Sequence, residues 1–180
     1  MRVISGRFKG VALTTPKSGT RPTTDRTKEA IFSHLDSWRV LDDARVLDLF
    51  AGTGALGIEA LSRGARELVA VESSAPAAAL IAQTLTALKH NRSWEHGMSA
   101  RVVKARAEKY AASASAVEPF DMVFIDPPYA FETNDCNLLL ADLASRELTS
   151  SNTVIMLERS TRSEAPTAPA NWAITDRREY

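Results

Sequence analysis

A glycine-rich run between Asp48 and Gly57 has the residue types and the spacing of a cofactor-binding loop. Gly52, Gly54 and Gly57 reproduce the G-x-G-x-x-G pattern, whose glycines let the backbone approach a ligand closely. Glu72 lies 20 residues after Gly52, where an acidic side chain can bind a ribose. The pattern is typical of both dinucleotide and S-adenosylmethionine sites, and by itself it also fits a tight strand-to-helix turn that binds no ligand.

Asp48 distinguishes between these cofactors by its charge. A carboxylate at the start of the loop would repel a pyrophosphate, whereas it would attract the ammonium and sulfonium groups of S-adenosylmethionine. The joint occurrence of Asp48, the glycines and Glu72 therefore favours S-adenosylmethionine over NAD and over a turn without a ligand.

A second cluster, Asp126-Pro127-Pro128-Tyr129, could position an amine for methylation. The two prolines keep the backbone extended and remove two N–H donors, so the loop presents carbonyl oxygens. The Asp126 carboxylate and the Pro127 carbonyl could accept both N–H groups of an exocyclic base nitrogen and favour a pyramidal, nucleophilic geometry. Tyr129 could stack on an extruded base, which is worth about 1–3 kcal/mol, and Phe131 could complete the base pocket. The alternative for this run is a rigid turn at a strand end.

The elements of an α/β fold surround both clusters. Apolar runs alternate with amphipathic segments, and a weakly alternating stretch over residues 2–13 predicts a short hairpin before them. The predicted strands cover residues 46–50, 68–71, 100–103, 121–125, 153–157 and 172–178, and the predicted helices cover residues 24–38, 54–62, 76–89, 108–113 and 137–144. Such alternation predicts a mostly parallel, twisted sheet with helices on both faces. Since ligands bind at the carboxyl ends of parallel strands, we expect the two clusters at one edge of the sheet.

Composition and charge limit the remaining classes of protein. The 180 residues suit one domain, the single Cys136 excludes an internal disulfide, and no metal-ligand pattern predicts a metal site. No apolar run approaches the about 20 residues of a membrane helix, and the N-terminus lacks a signal-peptide core, so a cytoplasmic protein is expected.

The 22 basic and 22 acidic residues cancel, but residues 1–30 hold seven basic and two acidic ones, net +5, which leaves −5 elsewhere. The basic leader could contact phosphates or be a solvated arm.

Four runs resemble one protein family when they are taken together. They are RVISGRFKG at residues 2–10, RPTTDRTKEAIF at 21–32, VLDLFAGTGA at 46–55 and DPPY at 126–129. The last two resemble motifs of class I methyltransferases that act on amino groups. With the two upstream runs, the sequence from residue 2 to about residue 179 resembles the bacterial RsmD family of 16S ribosomal RNA guanine-N2 methyltransferases.

The resemblance implies a Rossmann-like, S-adenosylmethionine-dependent enzyme that methylates the exocyclic N2 of one guanine in 16S ribosomal RNA and releases S-adenosylhomocysteine. It implies catalytic roles for Asp126, Pro127, Pro128 and Tyr129. The implied cofactor-binding residues are Arg21, Pro22, Thr23, Asp48, Phe50, Ala51, Gly52, Gly54, Glu72, Ser73 and Asp126. The implied RNA-binding residues are Arg2, Arg7, Lys9, Arg21, Arg26, Tyr129 and Phe131. The expected partner is the small (30S) ribosomal subunit or an assembly intermediate, bound by a monomer.

The resemblance also implies a division of the chain, with two departures from the family pattern. Residues 1–20 would form a basic hairpin extension and residues 21–180 the methyltransferase domain. The stretch after the third strand, residues 103–107, lacks the acidic residue with which many relatives bind adenine. The family fold closes with an antiparallel seventh strand beside the fifth, whereas this sequence ends at Tyr180 after the predicted sixth. We therefore expect the last strand to be missing.

Three other functions stay open at this point. The Asp-Pro-Pro-Tyr run also occurs in adenine-N6 DNA methyltransferases, although 180 residues leave little room for a sequence-reading domain. Protein glutamine methyltransferases generally begin this run with asparagine. A non-catalytic RNA-binding assembly factor would bind small subunits without binding S-adenosylmethionine.

Overall fold

The computed structural model describes residues 1–14, 24–116 and 118–180. The helices are α1 (Asp25–Trp38), α2 (Ala55–Ser62), α3 (Ala75–Lys89), α4 (Ala107–Ser113) and α5 (Thr133–Ser145), and the strands are β1 (Arg45–Asp48), β2 (Glu67–Glu72), β3 (Ser99–Lys104), β4 (Phe120–Ile125) and β5 (Thr149–Leu157). The predicted strands and helices up to residue 157 are confirmed, with ends that differ by up to about four residues. None of the described helices is long and apolar enough to cross a membrane.

The five strands form one parallel sheet in the order β3-β2-β1-β4-β5. β1 pairs with β2 on one side and with β4 on the other, so the direction of the connections reverses between β1 and β4. In open parallel sheets, ligands bind in the crevice at such a switch point, beyond the carboxyl ends of the strands. The Rossmann-like α/β fold is confirmed, and its crevice lies beyond Asp48 and Ile125.

Each face of the sheet carries its own hydrophobic core. On one face, which α1, α2 and α3 cover, Phe32 of α1 packs against Phe124 of β4 with ring centroids 5.7 Å apart. On the other face, Leu139 and Leu143 of α5 share a cluster with Val123 of β4. β1 is buried along its whole length. The strand ends that form the crevice are therefore held between two packed layers.

The N-terminal extension folds back on itself and packs against α2. Arg2 and Ala12 form an antiparallel bridge, as the predicted hairpin requires. Phe8 is buried, and its amide donates to the Ser62 hydroxyl at the end of α2. Gly6 has a φ of +90°, and a Cβ at this position would lie 2.0 Å from the Ser62 carbonyl oxygen, so the contact requires glycine. The tip of the extension therefore lies at the end of α2 that is remote from the glycine loop.

A buried ion pair joins the extension to α1 and α2. Lys28 of α1 and Glu59 of α2 are both fully buried, and Nζ lies 3.2 Å from Oε1. Lys28 also donates to the Arg2 carbonyl at 2.9 Å. The Glu59 carboxylate accepts the amides of Ile4 and Ser5 at 2.9 and 3.1 Å. Both buried charges thus have the hydrogen-bonded partners that burial demands, and the start of the chain is fixed to two helices.

The predicted sixth strand at residues 172–178 is wrong. This segment is irregular, and it approaches α1, where Oδ2 of Asp176 lies 2.6 Å from Nε2 of His34. A strand needs a neighbour for its backbone hydrogen bonds, and residues 158–180 form no ladder with β5 among the residues described. Residues 172–178 therefore contact a helix instead of extending the sheet, and β5 is the edge strand of the described sheet.

Candidate active site

The glycine loop connects β1 to α2 at the crevice. Gly52 and Gly54 have positive φ angles of 59° and 82°, and the Gly54 amide donates to the Ala51 carbonyl at 2.7 Å. Glu72, at the end of β2, accepts the Gly52 amide through Oε1 at 2.8 Å and the Ser74 amide through Oε2 at 2.7 Å. A carboxylate has further lone pairs, so Glu72 could shape this loop and still accept from a ribose. The structure thus brings the glycine loop and Glu72 into direct contact.

Asp48 is the buried charge of the crevice. The residue is 1% exposed, and its Oδ2 accepts the Gly57 amide at 3.3 Å. Oδ1 is buried and has no hydrogen-bond partner in the part of the chain that the structure describes. Burial, and then the charges of Asp126 and Glu72, raise the pKa of Asp48 to about 7. A buried carboxylate oxygen without a partner fits a cationic ligand group, such as the ammonium or sulfonium of S-adenosylmethionine.

The Asp-Pro-Pro-Tyr run lies at the end of β4, beside the end of β1. The two strands pair up to Asp48, and the charge of Asp126 acts on the Asp48 carboxylate. The Phe131 amide donates to the Pro128 carbonyl at 2.9 Å, which closes a turn with Tyr129 in its centre. Tyr129 is 70% exposed, so its ring is accessible for stacking on a base. The first member of the predicted tetrad therefore lies close enough to Asp48 to act on its charge, and the last member is exposed to solvent.

Phe131 connects the two loops. Its ring meets the ring of Phe50 edge-on, with centroids 5.1 Å apart. Phe50 belongs to the glycine loop, whereas Phe131 ends the turn that begins at Pro128. A role for Phe131 in the base pocket stays a prediction. The structure adds that the Phe131 ring packs against Phe50 of the glycine loop.

The other predicted cofactor-binding residues lie near the crevice or outside the described residues. Ala51 is buried in the glycine loop, and Ser73 is exposed directly after β2. Arg21, Pro22 and Thr23 fall outside the residues that the structure describes. Within the described ranges, no group of three or more His, Cys, Asp or Glu side chains could hold a metal ion. The predicted cofactor-binding residues that the structure describes therefore lie at the ends of β1, β2 and β4.

The predicted RNA-binding residues of the N-terminal region differ in accessibility. Arg2, Lys9 and Arg26 are exposed, as contacts with RNA require. Arg7 is only partly exposed. Its guanidinium pairs with Glu95 at 3.2 Å and donates to the Ala65 carbonyl at 3.3 Å. RNA binding by Arg7 stays a prediction, and it would compete with the contact to Glu95.

Sequence reasoning missed Arg159. This residue follows β5 at the same edge of the sheet, and its Nη1 donates to the Phe131 carbonyl at 2.7 Å. The available signal was its position two residues after the predicted strand 153–157, since residues that follow the strands of such sheets line the crevice. The residue types around it match no motif, so position alone would have indicated it.

This chain is similar to known proteins over nearly its whole length, and the similarity identifies its family. A family model described as "Conserved hypothetical protein 95" matches residues 1–180. The "Ribosomal RNA small subunit methyltransferase D" of Escherichia coli strain K12 is 36% identical, and the match covers 97% of this chain and 82% of the relative. The Bacillus subtilis protein YlbH is 34% identical, with 100% of this chain and 94% of the relative covered. Both relatives thus match nearly the whole chain.

A solved structure supports the same assignment. The Escherichia coli protein YhhF superposes with a TM-score of 0.84 at 33% identity, over 100% of this chain and 92% of that chain. The match therefore includes the crevice with both of its loops. The chain belongs to the family of the conserved hypothetical protein 95 model, that is, to the RsmD-type methyltransferases of small-subunit ribosomal RNA.

Proposed function

We propose that this chain transfers the methyl group of S-adenosylmethionine to the exocyclic N2 of a guanine in 16S ribosomal RNA. One observation carries the proposal. The crevice contains the buried acid Asp48, and beside it a loop begins with Asp126, whose carboxylate could accept hydrogen bonds from an amine. Guanine N2 is favoured over adenine N6 because the runs at residues 2–10 and 21–32 resemble the guanine-N2 enzymes as well.

The residues of the crevice suit S-adenosylmethionine, which would supply an electrophilic methyl group on its sulfonium. Asp48 offers a buried carboxylate with an oxygen that lacks a partner among the described residues. Gly52 lets the backbone approach a ligand, and Glu72 keeps lone pairs for a ribose beside the two amides that it already accepts. The positively charged part of the cofactor and its ribose thus each have a complementary group.

The loop after β4 would orient the acceptor amine. The Asp126 carboxylate and the Pro127 carbonyl accept its two N–H groups, and Tyr129 stacks on the base. S-adenosylmethionine, when bound, would supply the methyl group, and the two acceptors would hold the amine with its lone pair free for the transfer. Asp126 or water would take the proton that the nitrogen loses. Positioning, more than a strong base, accelerates this transfer.

We propose the small (30S) subunit or an assembly intermediate, rather than free RNA, as the substrate. Phosphate contacts need accessible cations, and one of the predicted cations, Arg7, already pairs with Glu95. Arg2, Lys9 and Arg26 are exposed but few, so binding to naked RNA should be weak. A folded particle adds recognition by shape, on which proteins that bind structured RNA depend.

Methyl transfer from labelled S-adenosylmethionine to three acceptors tests the proposal. The acceptors are unmethylated small subunits, naked 16S ribosomal RNA and adenine-containing DNA. We expect label on guanine N2 in the small subunits, less label on naked RNA and none on DNA. Label on adenine would instead indicate the DNA-type activity, and tight binding to subunits without cofactor binding would indicate an assembly factor.

Cofactor binding is expected to weaken at acid pH, because Asp48 takes up a proton. The pKa of Asp48 is about 7 in the protein alone, and a bound cation favours the ionised form. The Kd for S-adenosylmethionine should therefore rise about tenfold from pH 8 to pH 6, with about half a proton released per ligand bound at pH 7. Calorimetry in two buffers of different ionisation enthalpy measures that release.

An Asp48→Asn variant serves as the control for this pH dependence. The amide keeps the shape of the side chain but does not titrate, so any remaining pH dependence comes from the cofactor or from other groups of the crevice. The same proton release in the variant as in the natural protein would contradict the assignment.

The raised pKa also means that the folded protein without ligand binds more protons than the unfolded chain, so its stability should fall as pH rises from about 4 to 7.

A further inference from the structure

Arg159 lies where β5 brings the chain to the crevice. The Glu158 amide donates to the Ile125 carbonyl at 2.9 Å, so the pairing of β5 with β4 continues one residue beyond Leu157. Arg159 follows directly, beside the point where Asp126 leaves β4. It is therefore close in space to the loop that follows β4, residues 126–131, although it is distant in sequence.

The Arg159 guanidinium holds this loop at two points. Nη1 donates to the Phe131 carbonyl at 2.7 Å, and Nη2 donates to the Thr133 hydroxyl at 3.2 Å. Thr133 is the first residue of α5, and its own hydroxyl donates to the Glu164 carbonyl at 3.2 Å. The two bonds therefore fix the junction between the turn and α5.

The same junction determines the place of Tyr129. The Phe131 amide closes the turn on the Pro128 carbonyl at 2.9 Å, and its carbonyl is bound by Arg159. The Phe131 ring packs against Phe50. Because Tyr129 is 70% exposed, burial contributes little to its position, and the turn that carries it sets the course of its backbone.

We infer that Arg159 is a positioning residue, which fixes the turn that presents Tyr129 to the acceptor base. Its role in methyl transfer rests on the proposed function, whereas the two hydrogen bonds are a property of the protein alone. A planar guanidinium can hold two acceptors at a fixed spacing, which a lysine ammonium on a flexible stem cannot.

Hydrogen exchange at the Phe131 amide, in the protein without cofactor or RNA, tests the two-point contact. In an Arg159→Gln variant we expect this amide to exchange at least about tenfold faster, while the amides of β4 keep their rates. Arg162→Gln is the matched control, because Arg162 is exposed on the same segment and its loss changes the charge equally. Unchanged exchange in a folded Arg159→Gln variant would overturn the inference, whichever acceptor is methylated.

Kinetics test the role in positioning. We expect kcat on small subunits to fall at least about tenfold in Arg159→Gln, with the Kd for S-adenosylmethionine unchanged and Arg162→Gln fully active. Arg159→Lys keeps the charge and should recover only a minor part of kcat. Full recovery by lysine, or a normal kcat in a variant whose turn exchanges fast, would overturn the inference. A natural protein that methylates no ribosomal RNA would contradict the proposed function alone, because the exchange result does not depend on it.

Discussion

Replacing Asp126 by alanine is expected to lower kcat for methyl transfer about 100-fold or more while the protein still binds S-adenosylmethionine. The carboxylate is the charged acceptor for the amine, and the Pro127 carbonyl alone would hold one N–H group. The charge of Asp126 also raises the pKa of Asp48. Its removal should lower that pKa, so cofactor binding at pH 7 should be unchanged or somewhat tighter. Single-turnover kinetics and calorimetry measure the two quantities separately.

Asp135→Ala provides the control for Asp126→Ala. Asp135 is exposed in the first turn of α5, so its loss removes the same charge close to the loop but no acceptor from the crevice. We expect this variant to keep a kcat within about twofold of the natural protein. A large loss of cofactor affinity in Asp126→Ala would show that this carboxylate binds the cofactor and not the amine.

The second large effect is expected on stability, from Glu59→Gln. The Lys28 ammonium, fully buried 3.2 Å from the carboxylate, would then lack its counter-charge. Leaving a buried charge uncompensated costs about 3–5 kcal/mol in the free energy of unfolding. Glu59 also accepts the Ile4 and Ser5 amides, so the extension should detach from α2 first. Urea unfolding followed by circular dichroism measures the loss.

Two variants make this stability prediction specific. Lys28→Met removes the buried cation itself and leaves Glu59 paired with Arg63 at 2.8 Å, so it should cost much less than Glu59→Gln. Glu29→Gln breaks an exposed ion pair with Arg63 and should change the free energy of unfolding by less than about 1 kcal/mol. Equal losses in Glu59→Gln and Lys28→Met would contradict an uncompensated charge as the cause.

The two loops of the crevice could be predicted from the sequence because each signal is local. The glycine spacing and the consecutive prolines restrict the backbone within a few residues, and the apolar runs before them read as buried strands. Parallel pairing then places Asp48 and Asp126 at neighbouring strand ends. These predictions needed no knowledge of distant partners.

Contacts between distant segments could not be predicted in this way. Lys28 and Glu59 are each an ordinary charged residue of a helix, and only the packing of α1 on α2 turns them into a buried pair. The predicted strand at residues 172–178 was wrong for the same reason, because an alternating run becomes a strand only where a ladder partner exists. Arg159 likewise gains its contacts from the position of β5 beside β4.

The two amides that Glu72 accepts have a consequence for the energetics of ligand binding. Gly52 belongs to the loop before α2, and Ser74 caps α3, so one carboxylate fixes the starts of two segments that line the crevice. The conformational entropy of these segments is therefore lost when the protein folds and not when a ligand arrives. A preorganised site loses less free energy to ordering on binding, so more of each contact remains as affinity.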